Sequence, residues 1–153
     1  MVLLIISIFA LFSLPRLTSF FTSEKLSNDA ARLADYLEHL RDEAIFKKRH
    51  LLLVCKIEEG HFRVIPAESD GKESPAEVML RPFTMGEAVR IVDIEKRGSG
   101  KRTEGEAEIN FYPGGNTEAA LIHLRDGDEK ALTLEIAPLS RKIAIVDGYV
   151  ETI

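Results

Sequence analysis

The first fourteen residues, Met1 to Leu14 (MVLLIISIFALFSL), carry no charge, and Ser7 and Ser13 are their only polar side chains. A run of this kind is fit for a place without water, where every backbone N–H and C=O must be satisfied within the segment. That requirement selects a helix, and both serines can return a hydrogen bond to its backbone. At 1.5 Å per residue the run gives roughly 21 Å of helix, short of the roughly 30 Å hydrocarbon core of a bilayer. Continuing through Pro15-Arg16-Leu17-Thr18-Ser19-Phe20-Phe21 adds apolar surface but obliges Arg16 to snorkel to the headgroups. Three readings compete. A cleaved signal peptide has this apolar length, but Lys/Arg is absent before the run and Phe12-Ser13-Leu14-Pro15 lacks a small-x-small cleavage site. A core helix of a soluble protein is unusual with apolar residues all round. The favoured reading is a membrane helix whose first residues precede Met1.

Between Leu26 and Ala44 the pattern changes to one apolar face. Leu26, Ala30, Leu33, Leu37, Leu40 and Ala44 follow alternating steps of four and three, with Asp29, Arg32, Asp35, Glu38, Asp42 and Glu43 on the other faces. Ser27, Asn28 and Asp29 are good N-caps, and Lys47, Lys48, Arg49 and His50 suit the negative end of the helix dipole, so the helix is expected to stop near His50. The stripe lasts less than three heptads, which favours packing on a sheet over a coiled coil. Pro15 and the polar positions from Thr18 to Ser23 are where the helix is expected to bend.

After His50 the period drops to two. Leu51 to Ile57 and His61 to Ile65, joined at Glu59-Gly60, read as a hairpin. A polar loop from Pro66 to Pro75 leads to Val78-Met79-Leu80. Ala88 to Ile94 reads as a strand of imperfect alternation, with Val89, Ile91 and Asp93 on one side, and Lys96 to Gly105 as a charged loop. Further strands are expected at Ala107–Phe111, Ala119–Leu124, Ala131–Ile136, Lys142–Val146 and Tyr149–Thr152. The fold class is therefore α+β, with a long N-terminal helix packed on an antiparallel sheet or sandwich. Three parts are expected: residues 1–22 as a membrane or assembly helix, 23–50 as its amphipathic continuation, and 51–153 as a β-rich head.

Charge and chemistry exclude several functions. The net charge of −5 offers no broad basic surface, which disfavours nucleic acid as a partner. The single cysteine, Cys55, lies in an apolar strand-like run and reads as a small buried hydrophobe. Gly98-Ser99-Gly100-Lys101-Arg102 has Glu95 where a phosphate-binding loop needs its first glycine, and Arg102 where it needs Ser or Thr. His39, His50, His61 and His123 never fall at metal-ligand spacing, and surface or capping roles are expected for them. Asp126-Gly127-Asp128-Glu129 lacks the spacing of a calcium loop and reads as a hairpin turn. No nucleophile, base and orienter stand together, so the chain reads as a non-enzyme without cofactor or metal. The acidic helix face of Glu38, Asp42 and Glu43 is expected to be solvated.

The N-terminal run resembles the helix of type IV pilins and type II secretion pseudopilins. In those families prepilin peptidase leaves a phenylalanine, a short apolar stretch and a glutamate, followed by an apolar helix that meets a proline. Val2, Leu3, Leu4, Ile5, Ile6, Ile8, Phe9, Leu11, Phe12, Leu14 and Pro15 are similar to that helix entered just after its glutamate. The resemblance implies a leader and cleavage motif upstream of Met1. Downstream, Ile109-Asn110-Phe111-Tyr112-Pro113-Gly114-Gly115-Asn116 and the segments Ala120–Leu124, Leu132–Ser140 and Ile143–Ile145 resemble the head of H-type minor pseudopilins. Phe111, Pro113, Gly114 and Gly115 carry the family-like turn, and Arg141 stands where the family often has glycine. The resemblance implies a filament subunit for protein secretion, single-pass in the bacterial inner membrane with its head in the periplasm; the alternatives are a minor pilin of type IV pili, taking up DNA, and a membrane-anchored β-sandwich binding module. Other pseudopilins, the secretion machinery, the inner membrane and prepilin peptidase are its implied partners.

Overall fold

The computed structural model describes residues 2–67, 80–127 and 129–151, with side chains from residue 24 onward. Helix α1 runs from Val2 to Phe46, without a break at Pro15 or between Thr18 and Ser23. Among the described residues nine strands follow: β1 Leu51–Lys56, β2 His61–Pro66, β3 Phe83–Thr84, β4 Val89–Lys96, β5 Gly100–Arg102, β6 Glu106–Phe111, β7 Ala120–Asp126, β8 Ala131–Ile136 and β9 Ala144–Asp147. They form two antiparallel sheets, ordered β3-β2-β1-β6 and β5-β4-β7-β8-β9. Among the described residues no helix is long and apolar enough to cross a membrane. The side chains of Val2 through Pro15 lie outside those described.

Ser27, Asn28 and Asp29 do not cap a helix start, because α1 passes straight through them. The helix stops at Phe46, four residues before His50. The Lys48 N–H bonds the Ile45 carbonyl at 3.2 Å and the Arg49 N–H bonds the Ala44 carbonyl at 3.1 Å, with Lys48 at φ 52°. That is a Schellman stop with lysine in the left-handed seat that glycine normally fills.

The period-two segments pair antiparallel: β1 on β2 as a hairpin with Lys56 opposite His61, and β1 on the distant β6 with Leu51 opposite Phe111. Inner faces of both sheets and the helix stripe share one apolar core. It takes Leu26, Ala30, Leu33, Leu37, Leu40 and Ala44 from α1; Leu53, Phe62 and Ile109 from the first sheet; Ile94, Ile122, Leu124 and Leu134 from the second. Cys55 sits in it, fully buried and unoxidised.

Three strand expectations need correction. The charged loop from Lys96 to Gly105 contains β5, which pairs with β4 through Glu95 opposite Lys101; charge is no obstacle on a sheet edge. Asp93 does not share a face with Val89 and Ile91. A bulge between Ile91 and Asp93 shifts the register, so Ile94 enters the core and Asp93 turns to the opposite face. The last segment, Tyr149 to Glu151, is not a strand, and Thr152 lies outside the described residues. Val78 and Met79, and the loop after Ala67, also lie outside them; Leu80 forms a bend and packs against the core.

Candidate functional site

The seam where α1 meets the head is built first by the leucine stripe, each residue of which is at most 2 % exposed. Polar clasps fix its depth and rotation at both ends. Near the start, the Asp29 carboxylate accepts from the Gly86 N–H at 2.8 Å. The approach is so close that a Cβ on Gly86 would stand 2.6 Å from Asp29 Oδ2. Arg32 lies over the Phe83 ring, and Tyr36 packs against the same ring at 5.5 Å between centroids. Burial pushes the Tyr36 phenol up to about 12.

At the other end, Arg41 crosses from the helix to the loops that follow β6 and β8. It is 2 % exposed and donates to the Ser140 carbonyl, to the Ala137 carbonyl at 3.3 Å and to Thr117 Oγ1 at 3.2 Å. Burial lowers its pKa, opposed by the nearby carboxylates of Glu38 and Asp42. The sequence carried a signal for Arg41, since it stands four residues after Leu37 and three before Ala44, on the apolar face. Its partners, however, are two carbonyls and a threonine hydroxyl that only the tertiary fold supplies.

The Phe111 to Asn116 turn closes against the same helix end. Phe111 is fully buried and bridges to Thr117; the Gly115 N–H bonds the Tyr112 carbonyl at 3.0 Å, and the Tyr112 N–H bonds the Asn116 carbonyl at 3.0 Å. Gly115 has φ 87°, and a Cβ there would stand 3.1 Å from Ile45 Cδ1. Pro113 and Gly114 form the outer part of the turn, where they are exposed. Arg141 is not among the positive-φ residues, so its turn needs no glycine. Its side chain instead reaches Asp42 at 3.3 Å. The acidic helix face is likewise used rather than simply solvated: Glu38 accepts from the Ile143 N–H at 3.1 Å and Glu43 pairs with Lys47 at 3.8 Å.

The histidines divide. His39 is exposed, His61 meets Thr84, and His50 stacks on Tyr112 and bonds Asn110 at 2.8 Å. His123 overturns the expectation of a surface role, for it is 0 % exposed. Its Nδ1 lies 2.6 Å from Asp93 Oδ1 and its Nε2 lies 2.8 Å from the Val150 carbonyl. The run Ala120-Leu121-Ile122-His123-Leu124 hid this cluster, because an apolar strand seen alone does not reveal which carboxylate the bulge in β4 brings opposite it.

Three cations of the charged stretch are committed within the chain. Lys96 pairs with Glu118 at 3.1 Å, Arg102 bonds the Glu106 carbonyl at 2.8 Å and Lys101 reaches Glu151 at 3.4 Å. Burial opposes ionisation of Glu118, but hydrogen bonds from Asn110 and Lys96 hold its carboxyl below the usual range. No three metal-ligating side chains cluster among the described residues. Asp126 accepts from the Lys130 N–H at 3.0 Å within its turn, and Asp128 lies outside the described residues.

No protein-family model matches the sequence, and no curated protein matches it. Solved structures that share its fold include two of one protein. One, of the minor pseudopilin EpsH from the type 2 secretion system of Vibrio cholerae, has a TM-score of 0.65 at 10 % identity, over 83 % of this chain and 99 % of that one. A second structure of EpsH from Vibrio cholerae gives 0.64 at 12 % identity, over 84 % and 98 %. The chain has the fold of that minor pseudopilin, one N-terminal helix with two antiparallel sheets, over most of both chains.

Proposed function

We propose that the chain is a minor pseudopilin: a non-catalytic structural subunit of a type II secretion pseudopilus, working in protein secretion across the outer membrane. In this reading residues 1–22 hold it in the inner membrane as a single pass and pack with other pseudopilins during assembly. Residues 23–50 carry the helix into the head, and residues 51–153 stand in the periplasm. Prepilin peptidase is a partner where a leader precedes Met1.

The observation that carries the reading is α1, within a fold shared with EpsH. Among the described side chains, the head buries this helix from Leu26 onward along the leucine stripe. From Val2 to Lys25 it continues for 24 residues, roughly 36 Å, and as far as Ser23 Arg16 is its one charged residue. Such a helix is suited to leave lipid for a bundle of like helices, exchanging lipid contacts for helix packing, with Arg16 tolerated where it is paired or snorkels. Phe46 at the end of α1 and Leu139 next to Ser140, 82 % and 91 % exposed, support contact with neighbouring subunits.

Removing Met1 to Leu14 tests the two-part architecture. The expected product is a soluble, folded, monomeric head that no longer sediments with membranes and no longer supports secretion. An insoluble or unfolded product, or secretion that persists, contradicts the reading.

A further inference from the structure

After β9 the chain turns at Gly148 and lies across the outer face of the second sheet. The Gly148 carbonyl accepts from Thr133 Oγ1 on β8 at 2.8 Å, and the Val150 N–H returns to the same hydroxyl at 3.1 Å. The Val150 carbonyl meets His123 on β7, Tyr149 Oη donates to Asp93 Oδ2 on β4 at 2.7 Å, and Glu151 reaches Lys101 on β5. Four residues thus touch four neighbouring strands. Tyr149 also stacks on His123 with centroids 4.0 Å apart, and Lys101 Nζ lies 4.9 Å from its ring centre.

The proton count at His123 decides what holds this segment. Its Nε2 faces a carbonyl oxygen, which can only accept, and its Nδ1 faces a carboxylate oxygen of Asp93 whose other oxygen already accepts from Tyr149. Two bonds from the ring to acceptors need two ring protons, which the imidazolium form supplies opposite the Asp93 carboxylate. Both side chains are almost fully buried, at 0 % and 2 % exposure, where an ion pair persists only with its hydrogen bonds complete.

We propose that Gly148 to Glu151 form a strap held on the second sheet by the doubly protonated His123, and that loss of one ring proton releases it. The neutral ring keeps its Nδ1 proton, which Asp93 binds, and gives up the Nε2 proton to solvent. Nε2 then presents a lone pair to the Val150 carbonyl oxygen, and an attraction becomes a repulsion. The charged groups facing the ring set the balance. Asp93 on β4 contacts it and favours the cation, with Glu95 one step along that face; on β8 Thr133 stands opposite the ring, with Glu135 beyond it. Arg125 on β7 and Lys101 on β5 oppose the cation, and Glu151 offsets Lys101. Tyr149 stays the donor to Asp93, because burial and that carboxylate raise its phenol above the ordinary range despite Lys101.

The test follows two signals of the full chain in detergent micelles. Nitrogen-15 shifts of His123 report both ring protons, and amide exchange at Val150 reports the strap, each followed from about pH 5.5 to about pH 9. The expected result is a ring protonated on both nitrogens at the acid end. Protection of Val150 should fall about tenfold, after correction for intrinsic exchange, over the interval in which Nε2 loses its proton, as the loss of one hydrogen bond predicts. His123→Met should abolish this pH dependence, while Tyr149→Phe, which keeps the stack, should retain it. An unprotonated Nε2 while Val150 is protected overturns the proposal. So does protection that stays constant across the whole range. Both readings come from the native chain and stand if His123→Met fails to fold.

Discussion

Arg41→Ala removes the guanidinium that ties the end of α1 to the loops after β6 and β8, and its cost follows from its three acceptors. A hydrogen bond to a charged group contributes about 1.5–3 kcal/mol net. Ser140 is exposed, so water can replace the arginine at its carbonyl, whereas Thr117 is 4 % exposed and Ala137 half-buried. Two bonds are therefore lost without replacement. Against them stands the relief from burying a cation, whose cost appears in the lowered Arg41 pKa. The balance is a loss of roughly 3 kcal/mol, which for a chain of this size lowers Tm by about 6–12 °C. Arg41→Met keeps the apolar stem without the charge and should lose about half as much. Arg41→Lys keeps the charge but cannot fork to three acceptors, and should fall between the two. Thermal unfolding of the full chain in detergent, followed by far-ultraviolet circular dichroism, reads all three. If Arg41→Ala and Arg41→Met both stay within about 0.5 kcal/mol of the parent, the clasp is not what fixes the helix.

Gly115→Ala should cost about 2 kcal/mol in the same assay, because it meets both the left-handed φ and Ile45 Cδ1; adding Ile45→Val should recover only the steric part. Lys48→Gly should stabilise the chain by about 0.5–1 kcal/mol by relieving the left-handed lysine in the helix stop, and no gain in urea unfolding would dismiss that assignment. Burial, with a smaller contribution from Glu58, pushes the Cys55 thiol up to about 12, so the unfolded chain ionises first. Stability should then fall by about 1.4 kcal/mol per pH unit once pH exceeds the ordinary thiol range, and Cys55→Ala should remove that slope between about pH 9 and about pH 10. Above that interval the Tyr36 phenol adds loss of the same sign.

Legibility in the sequence followed the range of the interaction. The leucine stripe and most strands were readable because burial on one face imposes a period, and a period is local. Gly115 was marked by its turn and Cys55 by its apolar run. The end of α1 was displaced because Lys48 takes a conformation that its composition disfavours, which no local preference announces. Asp93 was put on the wrong face because a bulge adds one residue without any sequence mark in Val89-Arg90-Ile91-Val92-Asp93. Asp29 looked like a cap because a short carboxylate before an apolar stripe caps helices in most settings; here it serves the Gly86 N–H of a loop 57 residues away. The partners of Arg41 and His123 are hidden for a related reason. Arg41 and His123 are each polar in an apolar setting, and only long-range partners satisfy them.

The proposed role of α1, an assembly helix shared among membrane subunits, is read out by a photo-crosslinking residue at Leu4 in the full chain, expressed in its native host during active secretion. The chain should sediment with the inner membrane, and light should produce adducts with other pilin-like subunits. Secreted cargo should be retained in the periplasm when the gene is deleted. A chain found apart from the membrane, without such adducts and with secretion undisturbed by the deletion, would contradict that role.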